Sequence, residues 1–208
     1  MVNGQYHKAV LSRAIAPALL AGAFLFVQGC TGGPADTRPH VWRTSSIDYY
    51  LNTEATDLTE TTVRETFQRW QDATHFTFTY RGRAPAGLRR DGKNTVSFLL
   101  KWPSEVPAGT IGYCKTWYDG KGNIVESDII FNMSLAGFTT TRTRHPGFYY
   151  IEGILAHEIG HLVGLDDMPL PGCLMNPLST PAESYGMGRL DPVTLAAYRS
   201  LYNRVKAP

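Results

Sequence analysis

The pattern of hydrophobic and polar residues after about residue 45 predicts several short strands. Five runs are rich in aromatic and β-branched residues, and turn-forming residues lie between them, which is typical of strands in a sheet. These runs are IDYYL (47–51), FTFTY (76–80), TVSFLL (95–100), TIGYCKTWY (110–118) and ESDIIF (126–131). The loop DGKGN separates the last two runs and predicts a hairpin.

Three other segments have the patterns of helices. Apolar residues recur at helical spacing over 58–73, and Asp57 is the expected N-cap of this helix. A second helix is predicted at about 149–163. A third closes the chain, with Asp191 as N-cap and Pro192 at its first position. This order of elements predicts an α/β or α+β fold, with a mixed sheet backed by helices.

The first 30 residues have the features of an export signal. Lys8 and Arg13 precede the apolar run AIAPALLAGAFLFV, which is too short to be a comfortable permanent membrane span. The run leads into VQGC, which resembles the lipobox of bacterial lipoproteins and implies cleavage before Cys30 and lipidation of its thiol. The alternatives are an ordinary signal peptide or an uncleaved anchor, with Cys30 incidental.

This interpretation divides the chain into three parts: a signal peptide (1–29), a lipidated cysteine with a flexible tether (30–45) and a folded domain (46–208). A multiply acylated cysteine would hold the domain firmly at a membrane surface. We therefore expect an exported protein that is lipid-anchored in the bacterial cell envelope, at the outer membrane or the cell surface.

The charge of the chain gives no argument for a nucleic-acid partner. The formal net charge is +2, but Lys8 and Arg13 lie in the predicted signal peptide, and the remainder holds 18 basic and 18 acidic residues. The 43% of hydrophobic residues is enough for a packed core and differs from the composition of disordered chains. We expect a monomer that does not bind nucleic acid.

Cys114 and Cys173 remain once Cys30 is assigned to the anchor. Export would place them in an oxidising compartment, where an even number of cysteines favours a disulfide. The alternative is two separate buried thiols, which are common in protein cores.

The segment HEIGH, within the predicted second helix, contains the most informative pattern. His157 and His161 are four residues apart, so on a helix they lie on one face and can direct ring nitrogens at one point. Zinc binds such nitrogens and, with three protein ligands, keeps a position for water whose pKa it lowers toward 7. Glu158, beside the first ligand, can act as the general base for that water. The pattern predicts a single catalytic Zn²⁺ and contains no signal from which a structural calcium or a second zinc could be predicted.

A third ligand is expected shortly after the helix. Gly164 can adopt a positive φ and end the helix in a sharp turn, so that Asp167 could approach the metal. Asp166 is the neighbouring alternative, with a solvated or supporting role as its other interpretation. Glu183, 22 residues after His161, is a further candidate at a distance that some HExxH enzymes use, although TPAESYG does not have a strong helical pattern.

These motifs together resemble the signature of the metzincin zinc proteases, HExxHxxGxxH/D followed by a methionine turn. The matching residues are His157, Glu158, His161, Gly164, Asp167 and, in CLMNP, Met175. The segment LMNP and the order of the predicted elements resemble a matrixin catalytic domain, whereas an aspartate as third ligand is similar to the snapalysin-type enzymes. The resemblance implies a mostly parallel twisted sheet with an antiparallel edge strand, and an apolar floor formed by Met175 beneath the ligands.

The resemblance also implies the activity and the substrate. It implies a zinc metalloendopeptidase that cuts extended polypeptide, with the edge strand at 110–118 pairing with the substrate. Tyr185 could steady the oxyanion, as a tyrosine does in some metzincins. The alternatives for function are a catalytically weak, zinc-stabilised binding lipoprotein and a peptidase that acts on cell-wall peptides.

Overall fold

The computed structural model describes residues 39–177 and 180–206 of the chain. The predicted signal peptide, the lipidation site Cys30 and most of the predicted tether lie outside the described residues. No helix within the described ranges is both long enough and apolar enough to span a membrane.

The centre of the fold is a twisted five-stranded sheet of mixed direction. Its strands are β1 (Ser46–Asn52), β2 (Thr77–Ala84), β3 (Asn94–Leu99), β4 (Gly112–Tyr118) and β5 (Ile124–Asn132). The spatial order is β2-β1-β3-β5-β4, and all neighbours are parallel except β4, which runs antiparallel to β5 at the edge of the sheet. The predicted fold class and the antiparallel edge strand are therefore confirmed.

The helices follow the predicted order, with one addition. They are α1 (Asp57–Thr74), α2 (Ile151–Leu162), α3 (Pro181–Met187) and α4 (Pro192–Lys206). Two short strands, β6 (Gly137–Thr139) and β7 (Phe148–Tyr150), form a separate parallel pair directly before α2.

Two local expectations about helices were wrong. The N-cap of α1 is Thr56, whose extended backbone lets its hydroxyl accept a hydrogen bond from the Thr59 amide, so Asp57 is already the first helical residue. The segment around Glu183 is helical, because Thr180 and Glu183 form a reciprocal capping box and Pro181 occupies the first turn.

Helix α2 lies at the centre of the packing. Each of its residues from 151 to 162 is buried, because the helix is covered by the sheet, by α1 and by the loops that follow it. Two glycines let neighbours approach its backbone: a Cβ on Gly153 would lie 1.9 Å from the Ser184 carbonyl oxygen, and one on Gly160 would lie 2.2 Å from the Met175 sulfur. A fully buried helix predicts that polar side chains on it have partners.

Packed structure begins before residue 46, earlier than the boundary predicted for the domain. Residues 40–43, which we call the N-terminal strap, lie along the start of β5. Val41 and Trp42 are only 1% and 6% exposed, and the Val41 carbonyl accepts a hydrogen bond of 3.0 Å from the Ile124 amide. This part of the predicted flexible tether therefore belongs to the folded domain.

The expected disulfide between Cys114 and Cys173 does not form in the structure, where both side chains are buried thiols. Cys114 lies on β4 with its sulfur 3.8 Å from the Thr116 hydroxyl, while Cys173 lies 3.4 Å from the Thr194 hydroxyl of α4. Each thiol is accommodated in the core with a polar neighbour of its own, which is the alternative that the sequence left open.

Candidate metal centre

Helix α2 brings the two histidines of HEIGH together on one face. The Nε2 atoms of His157 and His161 lie 3.0 Å apart, as their four-residue spacing predicts. Both side chains are almost entirely buried, so the helix points two ring nitrogens at one enclosed position.

The other ring nitrogen of each histidine is held by a backbone carbonyl. His157 Nδ1 donates to the Leu174 carbonyl and His161 Nδ1 donates to the Leu165 carbonyl, both at 2.8 Å. A carbonyl can only accept, so these bonds fix the Nδ1–H tautomer in each neutral ring and leave the Nε2 lone pair directed at the shared position. This is the arrangement in which histidine binds a metal through Nε2.

The chain turns back after α2 and adds a carboxylate to the pair. Gly164 has a φ of +93°, and the Leu165 amide donates to the Gly160 carbonyl, which closes the end of the helix. Asp167 then places Oδ1 3.4 Å from the Nε2 atoms of both His157 and His161. We call residues 163–167 the post-helix turn.

The neighbouring carboxylates are placed differently. Asp166 is exposed, so the turn directs Asp167 and not Asp166 at the histidines. Glu183 uses its carboxylate to cap its own helix, accepting a 2.7 Å bond from the Thr180 amide. Within the described residues, the group that could hold a metal ion consists of His157, His161 and Asp167.

The separations of these three atoms fit a zinc ion. Bonds of about 2.0–2.1 Å in a tetrahedral site separate the ligand atoms by roughly 3.3–3.4 Å, close to the observed 3.0, 3.4 and 3.4 Å. Two unprotonated nitrogens and a carboxylate oxygen are all electron-pair donors, and donors held this close repel one another unless a cation or a proton lies between them. The donor set of two imidazoles and one carboxylate is one that zinc accepts.

The electrostatics favour the forms that bind a metal. Burial lowers the pKa of His157 below its ordinary value of 6.5, so the ring is neutral at pH 7. Burial alone would raise the pKa of Asp167, whereas hydrogen bonds and positive charge from His157 and His161, when their Nε2 atoms carry a proton, hold it well below the usual range. At neutral pH this site therefore holds a neutral ring at His157 and an ionised carboxylate at Asp167, as metal binding requires.

The side chain of Glu158 extends from α2 to the edge strand β4. Its side chain is fully buried, and a Cβ on Gly112 of β4 would lie 2.8 Å from its Oε1 and 2.6 Å from the Cγ2 atom of Ile154. The absence of a side chain at position 112 therefore allows β4 to run close over the carboxylate next to the first histidine.

Met175 lies beneath the same helix. Its sulfur packs on Gly160, which lies between His157 and His161 in the sequence. Its carbonyl accepts a 2.7 Å hydrogen bond from the amide of Met168, just after the post-helix turn. The preceding residue, Leu174, holds His157, and its own amide donates to Asp191 at the start of α4. We call Leu174 and Met175 the methionine loop. Its contacts thus connect it to α2, to the segment just after the post-helix turn and to the start of α4.

Tyr185, considered above for the oxyanion, has other contacts in the structure. Its hydroxyl accepts a 2.9 Å bond from the His145 amide, and its ring stacks on Tyr150 at 5.4 Å. These contacts join α3 to the loop before β7.

Some residues of the site could not be found by their side-chain chemistry. Leu165 and Leu174 contribute backbone carbonyls, and Gly112 contributes the absence of a Cβ. The carbonyls leave no signal in a single sequence, because every residue has one, and Gly112 lies in a predicted strand where a glycine can indicate close approach of another group.

The comparison with protein families agrees with the geometry. A family model described as matrixin, of peptidase family M10, matches residues 41–203, which includes most of the strap, the whole sheet, the three-residue group and most of α4. No curated protein matches the chain in a direct sequence comparison. The match covers most of the chain, and the chain therefore belongs to the matrixin family of peptidases.

Proposed function

We propose that this protein is a zinc-dependent endopeptidase that hydrolyses peptide bonds of extended polypeptides. The observation that carries the proposal is the convergence of His157 Nε2, His161 Nε2 and Asp167 Oδ1, next to the buried carboxylate of Glu158, in a chain of the matrixin family. The three converging residues would hold the zinc, with Asp167 in place of a third histidine.

The chemistry divides between the metal and the protein. When bound, zinc supplies Lewis acidity, which lowers the pKa of a water molecule and polarises a peptide carbonyl. Glu158 accepts the proton of the attacking water and passes it to the leaving amine. The buried position of Glu158, under Gly112, strengthens its electrostatic interaction with a nearby cation.

The substrate would bind along β4. This strand is at the edge of the sheet and is antiparallel to β5, so an extended peptide could pair with its outer side by β-augmentation. Gly112 lies at the end of β4 that contacts Glu158, so a peptide on this edge would pass the general base. The buried carboxylate of Glu158 beside the three-residue group favours an endopeptidase over a binding protein without turnover, because binding alone needs no general base there.

The decisive experiment separates metal binding from turnover. Glu158→Gln keeps the volume of the side chain but removes the general base, so we expect turnover to fall by about 10²- to 10⁴-fold while one zinc ion per chain remains bound. Metal analysis and cleavage of a mixed peptide library, with and without a chelator, measure both quantities. Loss of zinc in this variant, or full activity in it, would contradict the assigned role, and digestion of purified cell wall but not of peptides would favour a cell-wall peptidase.

We also propose that the protein is exported and anchored by lipid at Cys30, in the cell envelope. The proposal is supported by the basic start, the apolar run and the VQGC sequence. Cys30→Ala should move the protein from the membrane fraction to the soluble fraction of the envelope, and mass spectrometry of the wild-type N-terminus should find an acylated cysteine. An unmodified Cys30 in the mature protein would contradict the anchor.

A further inference from the structure

Four unpaired carbonyls are expected at the C-terminal end of any α-helix, and in α2 two aromatic side chains approach carbonyls at this end. Trp42 Nε1 of the N-terminal strap donates to the Leu162 carbonyl at 2.8 Å, in a buried bond that spans 120 residues of sequence. The Tyr202 hydroxyl of α4 donates to the Val163 carbonyl at 3.1 Å. The strap and α4 therefore meet where α2 passes into the post-helix turn, at Leu162 and Val163.

The strap contacts the same turn a second time, through its backbone. A Cβ on Gly164 would lie only 2.2 Å from the His40 carbonyl oxygen, so the strap backbone lies directly against this glycine. His40 is held in turn by a 2.8 Å bond between its Nδ1 and the Gly122 carbonyl. The turn is enclosed on this side by residues that lie within the predicted tether (30–45).

These contacts are important for the metal site because the post-helix turn contains the Leu165 carbonyl and the Asp167 carboxylate. Leu165 provides the carbonyl that orients His161, and Asp167 provides the carboxylate that approaches both histidines. A shift of the turn would change the positions of both groups together, whereas His157 is oriented from the methionine loop.

We propose that Trp42 is a positioning residue for the metal site, which holds the post-helix turn so that Leu165 and Asp167 meet the ring of His161. The inference rests on the proposed zinc binding. It gives the strap a role in the metal site, although the three side chains that would hold the metal are His157, His161 and Asp167.

The test is zinc affinity of the full-length protein, measured by competition with a chelator. Trp42→Phe removes the indole N–H and keeps an aromatic ring, and we expect the Kd for Zn²⁺ to rise about tenfold, as is typical when a partner of a ligand is lost. With Co²⁺ as the probe, the absorption bands of the bound ion should also change, because they report the arrangement of the ligands. The matched control is Trp102→Phe, which removes a similar indole–carbonyl bond, at 3.2 Å to Pro107 in an exposed loop, and should leave Kd unchanged.

A second variant keeps the proposal testable if Trp42→Phe does not fold. Tyr202→Phe removes only the hydroxyl that joins the turn to α4, and should weaken Zn²⁺ binding in the same direction by a smaller factor. Equal Kd values in the wild type and in the variants that fold, with an unchanged Co²⁺ spectrum, would overturn the proposal. Failure of the wild type to bind zinc at all would instead contradict the proposed function.

Discussion

Helix α2 and the post-helix turn hold their ligands by different means. His157 and His161 are one turn apart on a single buried helix, so the local geometry of the chain is enough to bring their nitrogens together. Asp167 lies in a turn with a quarter of its side chain exposed, and the position of this turn depends on contacts with the strap and α4. The proximity of the two histidines is a property of a helix, whereas the position of the proposed third ligand is a property of the tertiary fold.

This difference shows which substitutions can change the positions of the three side chains. A change on α2 alters a ligand directly, but a change near the turn can act through contacts with residues distant in sequence. The following experiments compare the two regions, and the largest effect is expected where a ligand is removed.

Replacement of Asp167, the proposed ligand in the turn, should reduce zinc affinity more than any other change compared here. Asp167→Ala leaves two neutral rings and no carboxylate, so we expect zinc affinity to fall by more than the roughly 10- to 100-fold that is typical for loss of an outer partner. Asp166→Ala is the matched control, because Asp166 is exposed. Zinc affinity is measured by chelator competition, and full retention of zinc in Asp167→Ala would place the third ligand elsewhere.

Gly164→Ala tests the turn without removing a ligand. The residue has a φ of +93°, and a Cβ would lie 2.2 Å from the His40 carbonyl oxygen. Strain of this kind costs about 1–3 kcal/mol, and the backbone clash should add to it. Gly172→Ala is a close control, because Gly172 has a φ of +79° but nothing within 4 Å of its Cβ position. Chemical unfolding should show a clearly larger loss for Gly164→Ala, and equal losses would mean that the contact with the strap is unimportant.

Gly112→Ala should affect turnover more than metal binding. The added methyl group would lie 2.8 Å from Glu158 Oε1, so the carboxylate must move while the three-residue group stays in place. A displacement of up to 1 Å can reduce a rate by about 10²-fold, and we expect a loss of kcat on the order of tenfold or more with zinc content unchanged. Gly120→Ala, which has nothing within 4 Å of its Cβ position, is the control. An unchanged kcat in Gly112→Ala would show that close packing of β4 against Glu158 is not needed for catalysis.

The smallest effect is expected in the pH dependence of the metal-free protein. The pKa of His157 is lowered from 6.5 by burial, so the unfolded chain binds more protons there, and the free energy of unfolding falls as the pH drops below about 6.5. The pKa of Asp167 is lowered from 3.8, so its contribution is present above that pH and is lost only as the pH falls below it. Thermal unfolding after chelator treatment should show a decline below pH 6.5 that is flatter in His157→Gln. An identical decline in that variant would assign it to other groups.

Much of the fold was predictable from local patterns. Alternating residues in runs such as FTFTY and the helical spacing of Val63, Phe67 and Trp70 reflect which side of each element is buried, and burial is the main force that selects them. The helix around Glu183 was not predicted, because it has only seven residues and little hydrophobic pattern. Its start is stabilised by the capping box of Thr180 and Glu183. The N-cap of α1 was misplaced by one residue, since Thr56 and Asp57 are both good capping residues.

The sequence by itself determined that His157 and His161 lie on one face of a helix with Glu158 beside them, because this follows from their spacing alone. It also indicated a sharp turn at Gly164. Only the tertiary structure decided that Asp167 and not Asp166 faces the histidines, that Cys114 and Cys173 stay apart, and that Trp42 belongs to the domain. Each of these depends on contacts between segments far apart in sequence, and such contacts are fixed by packing, which one local pattern does not encode.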